Sequence, residues 1–351
     1  MPLCFRGIAA PMRPLFHPRL VNDPFGDPGL YVEFLFERRA LLFDLGDLAL
    51  LAPRKIHKIS HAFVSHAHMD HFVGLDRVVR VRLGRDRRLD LFGPPGFVDQ
   101  VEHRLAAYTW NLVHTYPTDF TIRATEVQPD GRAATAEFHC RSAFRREGMQ
   151  TATIADGVLL DDEHVRVRGV VLDHKIPCLA FALEEKAHIN VWKTALREMG
   201  VPTGPWLKEL KRAVLRDEPD DLPFRIWWRE REAVRERTVP LGLLKARVLR
   251  IVPGQKIAYV VDATYHPENA RAIVDLARGA DVLFIEAGFL DHDATRAAER
   301  SHLTARQAGR LAREAGAKTL VPFHFSPRYA GRGEQLRQEA EEAFAAPASP
   351  G

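Results

Sequence analysis

Between Ser65 and His71 the chain reads Ser-His-Ala-His-Met-Asp-His, directly after the apolar run Ala62-Phe63-Val64. Three imidazoles and a carboxylate in so few positions can build a metal site. With a strand ending at Ser65, His66 and His68 stand two apart and reach one cation from the same side. Asp70 and His71 fall where the spacing of Phe72, Leu75, Val78 and Val79 turns helical, and they point to a second cation beside the first. Zinc accepts nitrogen and oxygen ligands of this kind, and two cations about 3.5–4 Å apart can clamp the attacking and leaving oxygens of a hydrolysis.

One loop cannot supply every ligand such a pair requires, and further candidates stand at the ends of later apolar runs. His174 follows the alternating run 165–172, Asp262 ends Ile257-Ala258-Tyr259-Val260-Val261, and His324 ends Thr319-Leu320-Val321-Pro322-Phe323. Strands that deliver polar groups from one edge are how a rigid scaffold presents a site. A residue like His174 taken alone is more often a hydrogen-bonded core histidine; the joint order of the candidates favours ligation.

The elements that must hold these residues alternate in type. Strand patterns occupy 31–36, 40–45 and 62–65, a helix pattern 72–83, and further strands 89–92, 120–127, 133–140 and 165–172. The last third interleaves strands with helices at 267–278, 304–315 and 334–344. Thr304 is placed to cap the second of these, which leaves His302 on the loop before it. Two mixed sheets face to face with helices outside satisfy this order: an α/β fold, the αββα four-layer sandwich. No Pro/Ser/Gly-rich divide interrupts the 351 residues, so 1–351 reads as one domain. A hydrophobic share of 46% provides a large core and 27% charged residues a soluble surface. Cys4, Cys140 and Cys178 have no paired spacing, which argues against a disulfide framework or a Cys-rich zinc ribbon and for a reducing, cytoplasmic setting. Pro2, Pro11 and Pro14 interrupt the N-terminus before an apolar stretch develops, so no signal peptide is read there. The longest apolar run, 40–52, is too short for a membrane span and contains Asp44 and Asp47.

The segment 186–240 fits neither sheet. Pro202, Pro205, Pro219 and Pro223, the run Glu218-Pro219-Asp220-Asp221 and the aromatics Phe224, Trp227 and Trp228 read as an inserted, protruding arm. Its first part carries Lys186, Lys193, Arg197, Lys208, Lys211, Arg212 and Arg216 against Glu198 and Glu209, a local excess over the chain-wide net charge of +4. Basic side chains interleaved with aromatics suit a phosphate backbone and its exposed bases, although a solvated amphipathic hairpin has the same composition.

These motifs together resemble the metallo-β-lactamase superfamily and, within it, the ribonuclease Z group, which trims the 3′ ends of tRNA precursors. The resemblance runs from about 40 to 329. The loop from Ser65 to His71 resembles the His-x-His-x-Asp-His signature of the superfamily, and Asp173-His174-Lys175-Ile176-Pro177-Cys178 looks like the segment bearing its next ligand. The stretch Gly200-Val201-Pro202-Thr203-Gly204-Pro205-Trp206-Leu207-Lys208 is similar to the arm that holds tRNA. Ile285-Glu286-Ala287, Ser301-His302-Leu303-Thr304-Ala305 and His324-Phe325-Ser326-Pro327-Arg328-Tyr329 mark the ribonuclease Z group itself. The resemblance implies that His66, His68 and His174 hold one zinc, that Asp70, His71 and His324 hold the other, and that Asp262 bridges them; Mn2+ or another divalent metal could replace zinc. Asp70, His302 and Glu286 become the catalytic residues, His302 protonating the leaving oxygen and Glu286 orienting it. Lys208, Lys211, Arg212, Gly204 and Pro205 become RNA contacts of the arm, and the assembly a homodimer. The sequence departs from the group in its N-terminal segment, Arg6-Gly7-Ile8-Ala9-Ala10-Pro11, and around the site: Val261 and Ala263 flank Asp262 in place of Gly and Thr, and Ile285 replaces a His.

A phosphodiester repels hydroxide, so cations that acidify a bound water and neutralise the phosphate suit its cleavage, and an imidazole can protonate the departing oxygen. The expected function is a dizinc phosphodiesterase that cuts tRNA precursors endonucleolytically at the 3′ end by a metal-bound hydroxide. Two alternatives share the sequence features: a hydrolase of a small ester, lactone or cyclic phosphodiester with the arm as lid, and a catalytically silent RNA-binding module. Retention of the whole ligand set argues against the silent one, because buried His and Asp without a cation would be unsatisfied.

Overall fold

The computed structural model describes residues 15–347 apart from 36, 187, 231, 232 and 253; Cys4 and the departing segment 6–11 lie outside the described residues. Strands β1 (Phe16–Leu20), β2 (Leu30–Phe34), β3 (Ala40–Phe43), β4 (Ile59–Phe63), β5 (Arg87–Gly93), β6 (Phe120–Val127), β7 (Arg132–His139) and β8 (Arg146–Thr153) lie side by side in chain order as one sheet. Its centre, β3 to β6, is parallel and its flanks antiparallel. A second sheet begins with β9 (Val158–Asp161), β10 (Val165–Asp173) and β11 (Pro177–Glu185). The chain then leaves it for β12 (His188–Val191), β13 (Pro223–Glu230), β14 (Ala233–Pro240) and β15 (Leu249–Val252). It returns through β16 (Lys256–Val260), β17 (Val282–Glu286) and β18 (Leu320–Phe323), giving the order β18-β17-β16-β11-β10-β9.

Alternation along the strands builds the layers. Leu41 and Phe43 point between the sheets, where the Phe43 ring lies 5.2 Å from Phe63, 5.6 Å from Phe181 and 6.0 Å from Tyr259. Their neighbours Ala40 and Leu42 point outward, into the cluster that includes the buried faces of helices Leu75–Arg82 and Phe97–Ala106. On the second sheet Ile257, Tyr259 and Val261 face inward, while Ala258 and Val260 pack outward with helices Pro267–Ala277 and Ala305–Glu314. Helix, sheet, sheet and helix thus form the αββα sandwich, on three apolar clusters.

Two local features differ from the pattern reading. The helical stretch 72–83 is two pieces, Met69–Phe72 and Leu75–Arg82, because the chain at Gly74 presses on the loop after β3. A Cβ there would stand 2.2 Å from Gly46 O, and the Gly74 N–H donates to Leu45 O at 2.7 Å. Strand β8 is exposed along nearly its whole length, so no apolar alternation marks it in the sequence.

The segment between β11 and β16 has its own core. Ile189, Leu196, Trp206, Leu210, Ile226, Leu244 and Val248 cluster beneath helices Lys193–Glu198, Trp206–Leu215 and Leu241–Val248. The arm therefore continues past 240, since β15 comes back to pair with β12. Its two ends meet at the sheet, where the Glu185 N–H donates to Gln255 O at 2.8 Å.

Candidate metal centre

All the candidate ligands converge on one end of the sandwich. His66 and His68 follow β4, Asp70 and His71 lie in the turn Met69–Phe72, and His174 occupies the β10–β11 turn. Asp262, Glu286 and His324 leave the parallel strands β16, β17 and β18 at neighbouring C-terminal ends. Asp44, Asp262 and His324 all have left-handed backbones, with φ of 60°, 46° and 55°, so that the chain turns sharply as each strand ends. Such conformations cost about 1 kcal/mol or more each and concentrate at sites that need them.

The ligand atoms of His66, His68, His174 and Asp262 lie within 4.8 Å of one another, and so do those of Asp70, His71 and His324. Asp262 stands between: its Oδ2 is 3.4 Å from His66 Nε2, 3.3 Å from His71 Nε2 and 3.5 Å from His174 Nε2, and its Oδ1 is 2.9 Å from His324 Nδ1. Asp70 Oδ2 lies 3.5 Å from both His71 Nε2 and His324 Nε2. The far nitrogens of two ligands are occupied: His71 Nδ1 bonds Asp44 at 2.9 Å and His174 Nδ1 donates to Ser301 O at 2.8 Å. Those bonds turn the opposite nitrogens toward the centre.

Whether a cation fits is decided by what those atoms lack. His66 Nε2 and His71 Nε2 are buried with no hydrogen-bond partner, and His324 Nδ1 and Asp262 Oδ1, 2.9 Å apart, have none beyond each other. Unsatisfied polar atoms aimed at one point are costly unless a cation completes them, so the donor set fits divalent metal. The electrostatics agree. Burial opposes charge on His71 and His324, yet the Asp262 carboxylate outweighs it, raising His71 well above its ordinary value and His324 to about 10. Burial and the neighbouring His71 push His66 down to about 2. Burial would raise Asp262, but His324 and His71 hold it well below the usual carboxylate range. Protons held this way are what a divalent cation displaces on binding.

Asp262, Glu286, His302 and His324 form a further close group, but Glu286 is committed elsewhere. Its Oε1 accepts the Ala263 N–H at 2.7 Å and its Oε2 bonds His302 Nδ1 at 2.8 Å. His302 thus presents its other nitrogen to a cleft of about 580 Å³ that also contains His68, Asp70, His174, Asp262 and His324.

Lys208, Lys211 and Arg212 are not near this cleft. They line a separate one with Asp162, Glu163 and Glu185, where Arg212 bonds Glu163 at 3.0 Å and burial lowers the pKa of Lys211. Gly204 and Pro205 form the turn that buries Trp206: a Cβ on Gly204 would stand 2.9 Å from its ring, and Trp206 Nε1 donates to Pro202 O at 3.3 Å. The arm leaves β11 at the end opposite His174, and nine residues of strand place that end about 26 Å away. Two features of the site have no assignment from the sequence. Asp44 has the same signal as Asp262, an acid ending an apolar strand, although in the sequence it reads as a charge within the apolar run 40–52. Arg296 and Arg300, at the mouth of the metal cleft, sit on an exposed helix face with no local signature.

Two facing sheets with a His/Asp centre across their shared end define a metal-dependent hydrolase of the metallo-β-lactamase fold. The family described as a beta-lactamase superfamily domain matches residues 27–175 and 228–325. A ribonuclease Z of Deinococcus radiodurans is 34% identical over 292 residues, covering 82% of this chain and 83% of its own. The crystal structure of a metallo-β-lactamase fold protein from Bacillus subtilis superposes with a TM-score of 0.53 at 15% identity, over 94% of this chain and 92% of that one. The short form of human tRNase Z gives 0.50 at 18% identity, over 89% and 92%. This chain belongs to the ribonuclease Z family of the metallo-β-lactamase superfamily.

Proposed function

We propose that the chain is a phosphodiesterase that uses two divalent cations, zinc first among them, to cleave tRNA precursors endonucleolytically at their 3′ ends. The observation that carries the reading is the convergence of six candidate ligands around Asp262, in a chain related along most of its length to ribonuclease Z. His66, His68 and His174 would hold one cation, Asp70, His71 and His324 the other, and Asp262 both. When bound, the cations offset the negative charge of the phosphate and make water a better nucleophile. The residues supply the rest. Asp70, whose side chain is 46% exposed, accepts a hydrogen bond from the attacking water and aims it. His302 donates a proton to the departing 3′ oxygen. Burial disfavours its charged form, but Glu286, with a further contribution from Asp262, outweighs that and raises its pKa above the ordinary value, which favours the donor form. Glu286 fixes the ring through Nδ1.

RNA recognition by the arm, a homodimer and a cytoplasmic setting complete the proposal. Arm and cleft stand at opposite ends of the second sheet, so an RNA gripped by the arm meets a cleft only by spanning that distance or by reaching the cleft of a second copy. No helix among the described residues is long and apolar enough to cross a membrane. The test is to incubate zinc-loaded protein with a tRNA precursor and with bis(p-nitrophenyl) phosphate and to map the RNA ends. Cleavage at the 3′ boundary supports the reading. Turnover of the small ester with the precursor left intact would replace it with the small-molecule hydrolase.

A further inference from the structure

The cleft over the metal centre contains three guanidinium groups that the chemistry above does not use, those of Arg296, Arg300 and Arg328, of which Arg328 is paired with Asp293 at 3.3 Å. Arg296 and Arg300 stand one turn apart on the helix Ala294–Arg300, and both line the cleft beside His174, His302 and His324. Both are exposed and neither makes a hydrogen bond or ion pair among the described residues, although Arg296 acts electrostatically on the Asp293 carboxylate. The nearby Asp293 carboxylate is already engaged by the Tyr329 hydroxyl and, at 3.3 Å, by Arg328. The helix is fixed relative to the ligands. His174 Nδ1 donates to Ser301 O at 2.8 Å, Lys175 Nζ donates to Glu299 O at 2.6 Å, and Ala297 is buried beneath. Ser301, left-handed with φ 63°, then turns the chain into His302. Two guanidinium groups therefore stand on the side of the cleft where the leaving oxygen takes its proton, held by the same bonds that orient a metal ligand.

We infer that Arg296 and Arg300 form an anion subsite for a second phosphate of the substrate, the neighbour of the scissile phosphodiester on the leaving-oxygen side. Guanidinium forks match phosphate oxygens bidentately, and a position at the rim of a water-filled cleft lets both engage one strand. The inference rests on the phosphodiesterase reading and adds the two residues that hold a phosphate other than the one cleaved.

The test is direct binding, which does not depend on turnover: anisotropy of a fluorescein-labelled DNA tetranucleotide on zinc-loaded protein, with inorganic phosphate as competitor. In Arg296→Ala/Arg300→Ala the tetranucleotide Kd should rise at least tenfold. The slope of log affinity against log salt should flatten by about 1.4, roughly 0.7 per lost contact. Metal content should stay at the wild-type value, and the phosphate competition constant should move less than threefold. Arg296→Lys/Arg300→Lys should recover part of the affinity, since the charge remains. Arg310→Ala, which removes one guanidinium from the solvent face of helix Ala305–Glu314, should leave the tetranucleotide Kd unchanged. An unchanged Kd in the double variant, an equal loss for tetranucleotide and phosphate, or an equal loss in Arg310→Ala would each overturn the subsite. Failure of the wild type to cut a tRNA precursor would instead overturn the RNA reading alone.

Discussion

Asp44 accepts four hydrogen bonds at the buried end of β3, from Ser65 N–H at 2.7 Å, Ser65 Oγ at 2.9 Å, the Tyr259 hydroxyl at 3.0 Å and His71 Nδ1 at 2.9 Å. Asp44→Asn should weaken metal affinity by about 10–100-fold, because an amide no longer fixes the His71 ring with a full negative charge. Competition with a chelating dye measures this, and an unaltered affinity would contradict the role. Asp262→Ala should lose both metal and turnover, whereas His302→Ala should lower turnover by about 10²–10⁴-fold and keep its metal. Loss of metal in His302→Ala would make that residue a ligand. The candidate ligands were legible because they either crowd into the loop 65–71 or, like His174, Asp262 and His324, follow an apolar run. Asp44 stands 21 residues before its partner Ser65, and the parallel pairing of β3 with β4 that brings the two together is not visible in spacing.

The elements that frame the site were legible where one face is buried and obscure where neither is. Strands β3, β10 and β16 alternate into two cores and read clearly, while β8, solvated along its length, left no pattern. The division of the helical stretch at Gly74 comes from its close approach to Gly46, a tertiary event that no periodicity encodes. Asp162, at the β9–β10 turn, ties the elements at the far end of the sandwich: it accepts from His164 N–H at 2.8 Å and Val165 N–H at 2.9 Å, and pairs with Arg39 at 2.6 Å. Burial acts to raise its pKa, but the Val165 N–H and Arg39 outweigh it and hold the carboxyl below its ordinary 3.8. A depressed value means that the stabilisation is complete above 3.8 and is lost as pH falls through the native value. Asp162→Asn should therefore cost about 1–3 kcal/mol in urea unfolding at neutral pH, the gap to wild type closing in acid. A gap that stays constant with pH would contradict this.

For the whole molecule, the arm and the metal centre are separate units joined by the second sheet. That separation was not legible in the sequence. Lys208, Lys211 and Arg212 have the composition of an RNA contact, but which end of a sheet an insertion leaves from depends on strand direction. Because Glu185 and Gln255 already meet, the arm can be excised and closed with a short turn. The excised chain should keep its metal content and a cooperative melting transition while RNA affinity falls and its salt dependence flattens. Unchanged RNA affinity would remove the arm from recognition. The most direct measurement is the metal content of extensively dialysed protein by atomic emission, alongside Asp262→Ala. The expected result is about two divalent ions per chain, most of them lost in the variant. A reproducible content near zero in the wild type would contradict a two-cation hydrolase.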